Sequence, residues 1–294
     1  MAVYKRTYKV YRGALTPAWS RFAVLTRYSL STLFDSKLFI AFTLFSLLPT
    51  LGAVAQIYLT HSQTAQLLLN MRFNSSFRQD NAWFEMILRF ESGFGWMLVA
   101  WAAPGLIARD FANQALQLYF SRPLTRTEYI LGKISVLAAL LSCTTWIPLL
   151  MLFGLEAQME GNGWGWSHFY LVGSILVSSW LWIAIISFLA LALSVSVRWR
   201  IAATALIIGV FLLLAGFGAA FDAIMGTHWG ALMNLPKVMD VVRMHLFRVD
   251  PRFLLLGRGD LIPLWSAWTT LLITCLVSLL LFQRRLKARE VERG

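Results

Sequence analysis

Six apolar runs divide this chain, each close to the roughly 20 residues an α-helix needs to cross about 30 Å of hydrocarbon. Lipid offers no partner to an unpaired backbone amide or carbonyl, so a run of this kind is restricted to a continuous helix. The runs are Leu38 to Thr60, about Phe90 to Ile107, about Ile134 to Leu155, about Phe169 to Leu193, Ala202 to about Phe221, and Pro263 to Phe282. The second is the least regular: Arg89 and Glu91 flank its start and Pro104 and Gly105 sit near its end, so it is expected to be short, kinked or shielded by its neighbours. Composition agrees with this reading. Only 14% of residues are charged and 58% are hydrophobic, whereas a soluble domain is about one quarter charged. The 13 Trp and 21 Phe suit helix ends placed where an amphipathic ring keeps one edge wet. The expectation is an all-α integral membrane protein. Residues 1–37 form an N-terminal segment, 38–282 the six-helix membrane domain, and 283–294 a basic tail.

Basic residues orient the spans. Segments assigned to the inner side hold 18 of the 26 Lys and Arg residues against five acids, a net of +13, and the outer side holds eight against nine, a net of −1. The positive-inside tendency then puts both termini in the cytoplasm. The first 37 residues contain no short apolar block followed by a small-residue cleavage site, so no cleavable signal peptide is expected. The basic residues are spread over span ends, with no aromatic-basic groove. That distribution fits attraction to anionic lipid and gives no footprint for nucleic acid.

Ahead of the first run lies PAWSRFAVLTRYSLSTLFDSK, with Trp19, Phe22, Leu25, Leu30, Leu33 and Phe34 near helical spacing and Arg21, Arg27 and Lys37 towards another face. Two readings are open, an interfacial helix lying in the headgroup layer or a soluble helix packing on a partner. The outer segment from about Asp222 to Leu261 contains VMDVVRMHLFRV, whose Val238, Val241, Val242 and Leu246 share a face. This helix lies on the outer leaflet, caps an exit path, or packs against the bundle.

Catalytic signatures are absent from the sequence. There is no GxSxG elbow and no HExxH helix, and the only Gly-Lys pair, Gly132 and Lys133, is followed by Ile134 where a P-loop needs Ser or Thr. The chain is therefore expected to be no enzyme and to carry no cofactor. His61, His168, His228 and His245 map to the outer side without a tight pair spacing, which reads as surface or interface histidines. Cys143 and Cys275 fall in apolar runs and read as small core residues. None of the six cores carries a charge at mid-depth, and Arg89, Glu91, Glu156 and Asp222 are expected at wet outer ends, which argues against a proton- or sodium-coupled pump.

One stretch interrupts the apolar pattern with basic and breaker residues: YFSRPLTRTEYILGK, Tyr119 to Lys133. Residues 109–120 are helix-compatible. Pro123 has no amide hydrogen and disfavours helical geometry at Arg122, so that helix is expected to stop near Ser121. Thr125 followed by Glu128 is a capping-box pattern that starts the helix leading into the third run. A short helix, a corner and a membrane helix suit a mechanical contact for a soluble partner; equally, they suit a capped loop whose arginines snorkel to phosphates.

The run IARDFANQALQLYFSRPLTRTEYILGK, Ile107 to Lys133, resembles the first cytoplasmic loop of the membrane subunits of type-2 permeases of ATP-binding-cassette transporters, in which RD and then AL.LY.SRPL.R..Y.LGK follow the second span. The N-terminal YKRTYKVYRGALTPAWSRF is similar to the start of bacterial members. The resemblance implies a permease subunit of an exporter in the bacterial cytoplasmic membrane. It implies pairing with a second permease chain as homo- or heterodimer, and recruitment of a separate nucleotide-binding ATPase subunit that carries ATP and Mg. It also implies a coupling helix between spans two and three. By matching positions, Asp110, Leu116, Leu118, Tyr119, Ser121, Arg122, Pro123, Arg126, Tyr129, Gly132 and Lys133 form or brace that element. The apolar, uncharged interior points to a lipid-like cargo. A reading from another class remains beside it: a membrane-embedded scaffold or sensor whose elbow docks a non-ATPase partner.

Overall fold

The computed structural model describes residues 20–68, 79–112, 125–197, 199–250 and 262–291. Among the described residues the chain is helical, with one 3-10 turn and no strand. The helices are α1 (Arg21–Phe34), α2 (Lys37–Phe45), α3 (Leu48–His61), α4 (Gln63–Leu68), α5 (Asn81–Ala112), α6 (Arg126–Thr144), α7 (Trp146–Glu160), α8 (Trp164–Ser167), α9 (Tyr170–Ser196), α10 (Arg200–Met225), α11 (Leu235–Phe247) and α12 (Leu264–Val291).

Two of the apolar runs are jointed, and proline accounts for the joints. Pro49 sits in the first turn of α3 and Pro148 near the start of α7. A proline there forfeits only an amide that has no intrahelical partner, and it restricts the residue before it, so each run breaks a few residues upstream. The breaks fall at Ser46–Leu47 and at Thr145. Thr145 closes its own gap by donating its hydroxyl to the Leu141 carbonyl at 2.7 Å. Pro104 lies inside α5 without ending it.

Five stretches are long and apolar enough to cross a membrane: Lys37–His61, Arg126–Glu160, Tyr170–Ser196, Arg200–Met225 and Leu264–Arg285. They coincide with five of the six expected spans. The remaining one, about 90–107, lies within the 32-residue α5, whose charged first half keeps it out of that set.

Burial ranks these helices. In Arg126–Glu160 and Tyr170–Ser196, 61% of the apolar window is buried, against 22% in Arg200–Met225 and Leu264–Arg285. Helix α9 is the centre: α5, α6, α10, α11 and α12 all pack on it. Buried serines along α9, Ser178 and Ser194 among them, return their hydroxyls to their own helix at 2.5 and 2.6 Å, which leaves a slim surface that neighbours approach closely. At the periphery, Leu212, Leu213 and Phe217 of α10 and Leu272, Ile273 and Leu276 of α12 are exposed. Such faces are stable in contact with lipid and a liability in water.

Helix α1 forms as the N-terminal pattern predicts and packs along α6, with Leu25 and Ser29 buried while Val24 and Tyr28 face outwards. After α10 the chain folds back. Gly226 turns it in the left-handed region, and the 3-10 turn Trp229–Met233 returns onto α10. There the Gly230 amide donates to Asp222 Oδ1 at 2.6 Å, and Gly218 and Gly230 lie backbone to backbone with no room for a Cβ on either. Helix α11 follows, capped by Asn234, whose side chain accepts from the Lys237 amide at 3.1 Å. Of the three readings for this segment, packing against the bundle is the one observed: α11 lies against α5, α9 and α12. It buries Val238, Val241 and Val242 as the pattern predicts, and also the charged Asp240 and Arg243.

Candidate functional site

Where α5 ends and α6 begins, three polar side chains converge. Asp110 stands two residues before the end of α5. Tyr129 and Lys133 are one turn apart on α6, which puts them on the same face. The carboxylate of Asp110 accepts from the Tyr129 hydroxyl at 2.8 Å and pairs with Lys133 Nζ at 2.8 Å. Tyr129 is fully buried and Lys133 is 2% exposed. The ammonium also lies 3.4 Å from Ser29 Oγ of α1 and 5.5 Å from the centre of the Tyr129 ring.

Local sequence chemistry fixes this geometry. The capping box predicted from Thr125 and Glu128 is present: the Thr125 side chain accepts from the Glu128 amide at 3.3 Å, and the Thr125 amide donates to Glu128 Oε2 at 2.6 Å. This sets where α6 starts and hence which way Tyr129 and Lys133 point. Gly132 lets α1 approach, because a Cβ there would meet Leu25 Cδ2 at 2.9 Å and the Phe22 carbonyl oxygen at 3.3 Å. The Gly132 carbonyl accepts from Thr26 Oγ1 at 3.1 Å. Asp110, Tyr129 and Lys133, with Gly132 beside them, thus form a clasp joining α1, α5 and α6. Arg126 is exposed on the first turn of α6. Leu116, Leu118, Tyr119, Ser121, Arg122 and Pro123 lie outside the described residues, as does Trp19.

A sequence reading alone places Lys133 among basic residues at wet span ends; the structure buries it. Its partner is 23 positions back in the chain, and no local pattern announces the pair. The signal available was the i, i+4 pairing of Tyr129 with Lys133 at the entrance to an apolar run.

At the opposite end of α5 the structure corrects the expectation of water-exposed charges. Arg243 and Glu85 are buried, and Asp240 with them. The Arg243 guanidinium donates to Ser92 Oγ at 3.0 Å and to Asp240, and its Nε lies 3.8 Å from Glu85. Arg89 pairs with Asp240 at 2.5 Å. Glu91 is fully buried and accepts from the Thr50 hydroxyl at 2.6 Å, and Glu156 is 2% exposed. The return of α11 into the bundle covers the first half of α5 and gives Glu85 and Arg89 their partners, while Glu91 is met by Thr50 of α3 and Glu156 by His61. The premise of an uncharged interior therefore does not hold, and neither does the argument against a pump that rested on it.

The histidines also depart from expectation at one point. His61, the last residue of α3, meets Glu156 and Glu160 of α7, with one ligand atom from each lying within 4.8 Å of the others. The i, i+4 spacing of the two glutamates in LEAQME was the sequence signal for this cluster.

A helical chain with five membrane-compatible helices and exposed apolar flanks is a multi-pass membrane protein. Residues 26–289, nearly the whole chain, match the model of the ABC-2 family transporter proteins, and the chain belongs to that family of membrane transport components. No curated protein matches it significantly.

Proposed function

We propose that this chain is the membrane-spanning permease subunit of an ATP-binding-cassette exporter. In this reading it pairs with a second permease chain, and a separate nucleotide-binding subunit carries ATP and Mg and drives it through the elbow at residues 109–133. The single observation that supports the elbow's role most is the clasp. Asp110 before the elbow and Tyr129 and Lys133 after it are tied at 2.8 Å, so a force on the loop reaches α5, α6 and α1 together. Helix α5 serves as the sixth crossing. At 1.5 Å per residue its 32 residues reach about 48 Å, and α11 partners Glu85 and Arg89. Six crossings leave both termini on the cytoplasmic side of the bacterial inner membrane, where the basic residues concentrate. The cargo is amphiphilic and lipid-like, received from lipid across the exposed apolar faces of α10 and α12.

The test is purification in mild detergent with identification of bound chains, followed by ATP hydrolysis in the reconstituted complex. An ATPase is expected to co-purify. Arg122→Glu is expected to lower substrate-stimulated hydrolysis severalfold while the complex stays assembled. A bound kinase or protease with no ATPase present would establish the scaffold reading instead, and unchanged hydrolysis in Arg122→Glu would remove the elbow from the coupling path.

A further inference from the structure

The run Arg126–Glu160 crosses from the elbow to the opposite end of the molecule, and at that far end α3 and α7 bring together an imidazole and two carboxylates. We propose that His61, Glu156 and Glu160 form a binding site for a transition-metal dication of the Zn2+ class, which staples the end of α3 to the end of α7.

The imidazole is oriented for this. Its Nδ1 lies 2.9 Å from the Ile57 carbonyl oxygen, which can only accept, so Nδ1 keeps its proton, and Nε2, aimed away from its own helix at the carboxylates, is the nitrogen whose proton a metal would displace. A backbone carbonyl holding the second ring nitrogen is the outer-shell arrangement that metal-ligating histidines use. Nε2 faces Glu160 Oε2 at 3.0 Å and Glu156 Oε1 at 3.8 Å. Bonds of about 2.0 Å around tetrahedral Zn2+ require neighbouring ligand atoms roughly 3.3 Å apart. The two measured separations bracket that value, and the full set lies within 4.8 Å, so side-chain adjustments below an ångström close the site.

Charge favours a dication. Two carboxylates converge on one ring, and Glu156 is 2% exposed while Glu160 and His61 remain reachable at 29% and 16%. The exposed pair forms the entry path. One nitrogen and two carboxylate oxygens suit Zn2+ and its neighbours, whereas Mg2+ prefers oxygen alone. Three protein ligands leave a fourth position for water.

The experiment uses the full-length chain in detergent, purified without a polyhistidine tag, stripped with EDTA and titrated calorimetrically with Zn2+. Co2+ serves as an optical probe and Mg2+ as the control. Expected are one equivalent of Zn2+, a visible Co2+ band of tetrahedral type, no Mg2+ heat, and a Zn2+-dependent rise in Tm because the metal binds only the assembled helices. Glu160→Gln lies at the surface and is expected to weaken Zn2+ by more than the roughly 10- to 100-fold that disturbing an outer-shell partner costs, with unchanged circular dichroism. His61→Ala is expected to abolish the Co2+ band. Absence of Zn2+ binding in the wild-type chain, or Glu160→Gln binding as tightly as wild type, overturns the site and leaves a protonated His61 ion pair in its place.

Discussion

Replacing Asp110 with Ala tests the clasp most directly. The substitution strands the Lys133 ammonium at 2% exposure and removes the Asp110 hydrogen bond of the buried Tyr129 hydroxyl. Breaking one side of a buried ion pair costs about 3–5 kcal/mol, and the lost hydrogen bond adds about 1 kcal/mol. The Asp110 side chain keeps 12% of its surface and Lys133 retains Ser29 within 3.4 Å, so the expected loss sits near the lower end, about 3 kcal/mol. Asp110→Asn keeps the acceptor for Tyr129 and is expected to cost roughly half as much. The decisive variant is the double substitution Asp110→Leu with Lys133→Met. Exchanging a buried pair for apolar residues of similar size is often close to neutral, so the double variant is expected to recover most of the stability that Asp110→Leu alone gives up. The assay is reversible unfolding in mixed SDS micelles followed by circular dichroism. Additive losses in the cycle, or a cost below about 1 kcal/mol for Asp110→Ala, would refute the claim that the pair is closed and buried.

Gly132→Ala is expected to cost about 1–3 kcal/mol in the same assay, because its Cβ meets Leu25 at 2.9 Å, and a partnering Leu25→Ala is expected to relieve part of that loss. Thr125→Ala removes the capping box and is expected to cost about 1 kcal/mol, seen as faster hydrogen exchange confined to the first turn of α6. Arg243→Met leaves Asp240 and Glu85 buried without their shared cation. The expected cost is about 3–5 kcal/mol, measured by the same unfolding, and Met in place of Arg248 at the end of α11 is expected to cost far less.

The parts of this architecture that were legible in the sequence are those governed by local rules. A span must be apolar for its whole length, so four of the five membrane-compatible helices fall within a few residues of their predicted limits, and the remaining one, Arg126–Glu160, extends beyond its expected 134–155 at both ends. The capping box at Thr125 and Glu128 needs only four consecutive residues, and the proline joints need only the residues just upstream. Partnership between charges escaped, because it is decided by packing across the chain. Arg89 meets Asp240 from 151 positions away, and nothing near either residue specifies the other. The amphipathic reading of α11 found its buried valines and was silent about its polar face for a related reason. Hydrophobic periodicity marks which face seeks the core, and it cannot reveal that the polar face will be covered as well, here because α5 offers Glu85, Arg89 and Ser92 to receive it. In the clasp, Gly132 and the Tyr129–Lys133 spacing were visible, while the burial that gives them meaning depends on α1, which docks from the far N-terminal side.

The clasp also decides what kind of lever the first loop would be in the proposed exporter. A handle bolted to a door at two separate points lets a pull spring the panels apart, but one whose ends meet at a single rivet turns the whole leaf. Because Asp110 is fastened to Tyr129 and Lys133, the end of α5 and the start of α6 are held together at one place. In the proposed exporter, a load delivered there would swing α5 and α6 as a unit, carrying α1 along, and would not prise the two rods from each other.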